Sequence, residues 1–418
     1  MNEKNKKSFI AVMALILCLS MLLAGCGENI RSKKASLTVT LSSASGTKEV
    51  TADGYTTSPK APTANKASKI PFYSAPAADQ TYEYYHCDNA VNVQNGQVIS
   101  HSRFVEKYSN EGLEWTVYLE EEFEAVNCIG ISDGVLTYGI TYGTDGSPKL
   151  PVIVKLSSEG DLIWSKLIPL NATESSIGMI FETVAGGYDF VGISDSTKLF
   201  FGRLSSDGEL TLSVSNEVGN ISPSKVIKTS KGYAILYTSE NPARPYGIIT
   251  IGNDGKVTND FSYGSDDQNI VITSIIEFEG KLCISAYALP KSLSSASQKS
   301  EIANIVDEVP YSDTGMKQNR DLFYTIKDLY VAHLLICNYD TGELESFFSA
   351  EGSIGGVLYT DENSNLVWKV ECLAIAYYAT KTSIYTVNGS SYVYDYVFNS
   401  SLELSDVIDC KYLFYFAK

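Results

Sequence analysis

A hairpin that returns at a nearly constant interval constrains this chain more than any other feature. It is clearest in LPVIVKLSSEGDLIWSKLIPL at 150–170, where an apolar strand meets a Ser-Ser-Glu-Gly turn and a second strand carries Trp164. Hairpins of the same kind are RFVEKYSNEGLEWTVYL at 103–119, LFFGRLSSDGELTLSV at 199–214, YGIITIGNDGKVTNDF at 246–261 and VAHLLICNYDTGELESFF at 331–348. Their turn glycines, Gly112, Gly160, Gly208, Gly255 and Gly342, are 48, 48, 47 and 87 residues apart, so the last interval is one period plus 39 residues. A period in the 40s with about four strands per unit predicts the blades of a β-propeller.

The turn chemistry needs no catalysis. An acidic or amide side chain is expected to cap the turn backbone while glycine takes the positive φ of a short hairpin loop, which gives Glu159, Asp207, Asp254 and Thr341 a turn role rather than calcium binding. A looser hairpin precedes each of these, at 126–143, 182–196, 227–240 and 276–288. Two hairpins per period make a four-stranded meander, and the nearly continuous apolar runs predict sheets buried on both faces. Blades are expected at 82–124, 125–170, 171–217, 218–264, 265–350 and 351–418, six in all. Seven is the alternative if 351–380 and 381–418 are separate. The last strand is expected to close the ring beside the first blade, and SLTVTLSS at 36–43 alternates like a strand but has no evident partner in the sequence.

From GGYDFVG at 186–192 to RLSSDGEL at 203–210 the chain resembles the bacterial β-propeller repeat of extracytoplasmic proteins, in which a GGY strand precedes a KL-x-x-x-G-x-x-W hairpin. The second hairpin also resembles quinoprotein-like blades. The resemblance covers roughly residues 82–418 and implies a fold but no catalytic residue, since its motifs are structural. Tryptophan occurs only at 115, 164 and 368, so the later blades depart from the hallmark.

The N-terminus predicts an address. Lys4, Lys6 and Lys7 precede an apolar core from Phe9 to Leu23, too short for an ordinary spanning helix, and the core runs into Leu23-Ala24-Gly25-Cys26. This resembles a bacterial lipobox, which implies removal of residues 1–25 and acylation (palmitate or similar chains) of Cys26. Two or three chains would anchor the protein stably to the cell membrane on its extracytoplasmic face. Residues 26–79 are rich in Ser, Thr, Ala and Lys and are expected to be a flexible tether.

Between residues 80 and 418 there are 22 Lys and Arg against 44 Asp and Glu, a net of −22, which argues against nucleic-acid binding. Six cysteines follow Cys26: Cys87, Cys128, Cys283, Cys337, Cys372 and Cys410. Most sit in apolar runs without CxxC spacing, so buried thiols are expected, with Cys87–Cys410 the one bridge to look for across the ring closure.

Histidine is limited to His86, His101 and His333, with no HxH or HExxH spacing, so no metal or other cofactor is expected. No Gly-x-Ser-x-Gly elbow or phosphate-cradling loop occurs either. The acidic loop GSDDQN at 264–269 is expected to be a solvated turn, and the 28 tyrosines suit half-buried strands. The insertion at 290–328 is different, because a blade does not need it to close. EIANIVDEV within it places Ile302, Ile305, Val306 and Val309 on one helical face, and the following stretch offers Tyr311, Asp313, Asn319, Arg320 and Tyr324 as a binding surface. The expectation is therefore a membrane-anchored recognition or scaffolding module for an envelope protein or glycan, without catalysis. The alternative is a glycan-active enzyme using carboxylates in the propeller funnel.

Overall fold

A computed structural model of the chain describes residues 32–57, 84–94, 97–119, 123–141, 147–241, 244–264, 268–290, 330–379, 384–409 and 413–414. Strands are the only regular structure among them. The chain divides into two compact units, one of Met1–Thr40, Glu49–Phe72 and Gly264–Lys418, the other of Leu41–Lys48 and Tyr73–Tyr263.

Strands β1 (Lys33–Ser43) and β2 (Gly46–Thr57) form a hairpin, so the expected flexible tether does not extend through this stretch. The sequence showed no partner, yet a sheet edge provides one: Gly54–Thr57 pair in parallel with Phe347–Ala350. Alternation then places Val39, Leu41 and Ala52 inward, and buried Thr57 donates from Oγ1 to the Ser349 carbonyl at 3.1 Å.

In the second unit the chain runs as consecutive antiparallel meanders. The first has three strands, β3 (Tyr84–Gln94), β4 (Gln97–Ser109) and β5 (Gly112–Leu119), because QVISHS and RFVEKYS form one continuous strand. The second comprises β6 (Phe123–Ile131), β7 (Gly134–Thr141), β8 (Pro151–Ser157) and β9 (Leu162–Leu167). The third comprises β10 (Ser175–Glu182), β11 (Tyr188–Ser194), β12 (Lys198–Leu204) and β13 (Leu210–Glu217). The fourth comprises β14 (Ile221–Thr229), β15 (Gly232–Ser239), β16 (Tyr246–Gly252) and β17 (Val257–Gly264).

Middle strands such as β7, β8 and β15 are buried almost throughout, whereas β13 alternates half-buried with exposed. The reason is face-to-face stacking. Phe190 and Phe200 pack with Leu136, Tyr138 and Ile153 of the preceding meander, while their neighbours Val191 and Phe201 pack with Tyr233, Ile235 and Ile249 of the following one. Period-two alternation thus points successive apolar residues at two different cores. Each such phenylalanine contributes ~2–3 kcal/mol by leaving water.

Tryptophan latches two of the turns to the meander before them. Trp115 Nε1 donates to the Ser158 carbonyl at 3.0 Å, and Trp164 Nε1 donates to the Ser206 carbonyl at 3.1 Å. The next meander has lost tryptophan and uses an amide instead: Asn216 Nδ2 donates to the Gly255 carbonyl at 2.9 Å while its Oδ1 accepts from Val257 N at 3.1 Å.

In the first unit, β18 (Gln268–Phe278), β19 (Lys281–Pro290), β20 (Val331–Asn338) and β21 (Leu344–Glu351) form another antiparallel meander, extended by β2. Then β22 (Ser353–Thr360), β23 (Leu366–Ala379), β24 (Ile384–Phe398) and β25 (Leu404–Asp409) make a single sheet, because β23 and β24 pair from Leu366↔Phe398 to Ala379↔Ile384. That pairing runs across the expected boundary between 351–380 and 381–418. Terminal β26 (Leu413–Phe414) pairs with β24 in this sheet rather than with the first meander. Trp368 is fully buried beside Phe348 and Tyr396 and donates from Nε1 to Ser285 Oγ at 3.0 Å. The fold is all-β and built of blade-like, propeller-type meanders.

Candidate binding surfaces

The predicted surface residues Tyr311, Asp313, Asn319, Arg320 and Tyr324 lie outside the described residues, as do Cys26 and Ser265–Asp267 of the acidic loop. Their point of attachment is described. Strands β19 and β20 keep an unbroken antiparallel register from Lys281↔Asn338 to Ala288↔Val331. The chain therefore leaves at Pro290 and rejoins at Tyr330 across a hairpin tip, where the Tyr287 and Tyr330 rings stand 6.3 Å apart. The sheet is complete without the insertion.

His333 and several of the described acids fall into structural roles. His333 on β20 is buried, its Nδ1 lies 2.7 Å from Ser349 Oγ, and burial pushes its pKa down to about 4, so it is a neutral core residue. His101 is on β4. Asp189 is buried under the Arg203 guanidinium, which donates from Nε at 2.6 Å and Nη2 at 2.8 Å, and it also accepts from Tyr233 Oη at 2.6 Å. Asp260 accepts from Tyr237 Oη at 2.8 Å and Arg244 Nη2 at 2.9 Å, and Lys369 Nζ reaches Asp395 at 2.6 Å.

Turn caps differ in detail from the sequence expectation. Ser157 and Ser205, at the turn starts, accept from the amides of Asp161 and Glu209 at 3.1 Å each, and Asp207 serves by accepting from Ser205 Oγ at 2.6 Å. Asp254 caps an amide itself, that of Lys256 at 3.1 Å, and Thr341 Oγ1 accepts from Glu343 N at 3.3 Å, with Asn338 Oδ1 capping the amides of Asp340 and Thr341 in the same turn. A first-position Ser or Asn fits the Asx- and ST-turn geometry, so the acid two residues later is left to brace it. Such hydrogen bonds hold the carboxyls of Glu159, Asp195, Asp207 and Asp361 below the usual range. A carboxyl that donates a proton in glycan cleavage needs the opposite shift. Among the described residues no group of three or more His, Cys, Asp or Glu could hold a metal ion.

Sequence reasoning missed one cleft. A cavity of about 290 Å³ in the second unit is lined by Leu170, Asn171, Ser194, Lys198, Phe200 and Ser213, with a shallower one of about 440 Å³ beside it at Ser147, Asn171, Thr173 and Asp195. Lys198 is ion-paired to Glu217 at 3.6 Å, and Asp195 accepts from Thr173 N at 2.9 Å and Thr173 Oγ1 at 2.6 Å. Its charged groups are thus already partnered, leaving hydroxyls over an apolar floor. Only the polar stretch NATESS at 171–176 hinted at it.

The expected Cys87–Cys410 bridge is absent, since Cys87 is a free thiol; Cys410 lies outside the described residues. Cys283 is a buried free thiol, as expected.

No protein-family model matches the sequence, and no curated protein matches it. Solved structures similar to it include a protein of unknown function from Bacteroides caccae, at 10% identity and TM-score 0.30 over 59% of this chain and 94% of that one. Another is the quinohemoprotein alcohol dehydrogenase ADHIIG from Pseudomonas putida HK5, at 8% identity and TM-score 0.32 over 70% of this chain and 60% of that one. A third is cobalt-substituted Synechocystis ACO, at 10% identity and TM-score 0.33 over 81% and 94%. At these scores the likenesses add nothing to the fold read from strand pairing.

Proposed function

We propose that the protein is a lipid-anchored, extracytoplasmic β-propeller of six blades that recognises an envelope protein or glycan. Cys26 carries the anchor, and Tyr311, Asp313, Asn319, Arg320 and Tyr324 contribute to the recognition surface. The observation that carries this reading is the uninterrupted β19–β20 register on either side of the insertion. A segment that a sheet does not need, mounted on a rigid hairpin tip, fits the placement of binding loops on scaffolds. The latched turns and two-sided cores support the scaffold half of the reading.

The test compares the full chain with a version whose residues 291–329 are replaced by a short Gly-Ser turn, each incubated with detergent-solubilised envelope and cell-wall fractions. A discrete partner retained only by the intact chain, with both proteins melting cooperatively, is the expected outcome. Equal retention by both would reject the insertion as the recognition element.

A further inference from the structure

Strands β3 and β6, the first of their meanders, face each other in the second unit. The Tyr85 ring lies over Gly130, where an added Cβ would sit 3.3 Å from it. Two residues along on each strand, Cys87 and Cys128 come together, near enough for each thiol to shift the titration of the other. Both pack against the cluster of Val105, Leu119, Val135 and Val154, yet both remain partly open to solvent, and both are free thiols. Thr137, the register partner of Cys128 on β7, brings its hydroxyl to Cys87 as well. Neither the repeat pattern nor a CxxC spacing announced this pair, because its members are 41 residues apart in sequence.

We propose that Cys87 and Cys128 are a thiol–disulfide exchange site, which reduces an aliphatic disulfide while closing a bridge between the first two meanders. Cys87 is the attacking group. The neighbouring Cys128 thiol holds its pKa down to about 7 against the opposing effect of burial, while the same contact and burial push Cys128 up. A thiol with pKa near ambient pH is close to the optimum for attack. In the first step the Cys87 thiolate attacks one sulfur of R–S–S–R. That bond breaks, Cys87–S–S–R forms, and RS⁻ leaves with the electron pair. Cys128 gives its proton to the departing thiolate and attacks Cys87 Sγ, so the second RS⁻ leaves and takes up the proton released by Cys87. Two protein thiols and one disulfide become one intramolecular disulfide and two RSH, with two electrons passing to the reagent.

The probe is oxidised glutathione, added at neutral pH to the reduced full chain in detergent, followed by alkylation and peptide mass mapping. The expected result is a linked peptide joining Cys87 to Cys128, with two thiols lost per chain and no lasting adduct on Cys87. In C128S the reaction should stall as a Cys87–glutathione mixed disulfide, and in C87S Cys128 should react at least about tenfold more slowly. A wild-type map showing a lasting adduct on Cys87, no reaction at either residue, or linkage of Cys87 to another cysteine would overturn the proposal. That wild-type map decides the matter even if a serine variant fails to fold.

Discussion

At the scale of single residues, the turn glycine does two jobs that the sequence shows as one. Gly208 has φ +81° and an added Cβ there would lie 2.9 Å from Trp164 Cδ2, whereas Gly112 has φ +113° with nothing within 4 Å. Gly112→Ala should therefore cost about 1 kcal/mol of backbone strain, and Gly208→Ala about 2 kcal/mol, because it also pushes the indole off the turn. Denaturant midpoints in a double-mutant cycle check this: with Trp164→Ala in place, Gly208→Ala should fall to the cost seen at Gly112. His333 gives the second prediction at this scale. Its folded-state pKa of about 4 lies below the usual 6.5 because burial disfavours the imidazolium. Stability from the neutral ring is thus fully present above pH 6.5 and lost as pH falls from 6.5 towards 4, to a total of about 3 kcal/mol. Urea midpoints at pH 7 and near pH 4.5 should diverge for the wild type by more than for His333→Gln. Equal slopes would show that the ring titrates as it does in the unfolded chain.

At the scale of elements, hydrogen exchange separates an ordered β1–β2 hairpin from a flexible tether. Backbone amides of β1 and β2 should be protected, and Val39→Asp with Leu41→Asp should release both that protection and part of the protection on the β21 edge at Phe347–Ala350. Complete exchange of β1 and β2 within seconds in the wild type would contradict the pairing. This hairpin also marks where the sequence stopped being legible. The meanders from Phe123 to Gly264 fall within a few residues of the boundaries read from the glycine period, because turn position is set locally by Gly, Ser and Asp. The partner of β1–β2 is nearly 300 residues away, and the Cys87–Cys128 contact depends on two strands facing rather than following each other. No local pattern encodes either. The serine caps at 157 and 205 are present in the sequence, but an acid next to a turn glycine is the commoner capping signal and masks them.

For the molecule as a whole, the proposed anchor, scaffold and recognition segment can each be tested. Intact mass should show a mature chain that begins at Cys26 and carries acyl chains, whereas Cys26→Ala should accumulate a precursor retaining residues 1–25. A cleaved, unmodified chain would reject the lipid anchor. The most direct measurement of the central claim is hydrogen exchange on the full chain with and without the detergent-solubilised envelope fraction that it retains. Added protection should concentrate in peptides from 291–329, with the β7, β8, β11 and β12 strands unchanged. Protection confined to the cleft at Asn171, Ser194 and Ser213 instead, with 291–329 exchanging as before, would contradict it.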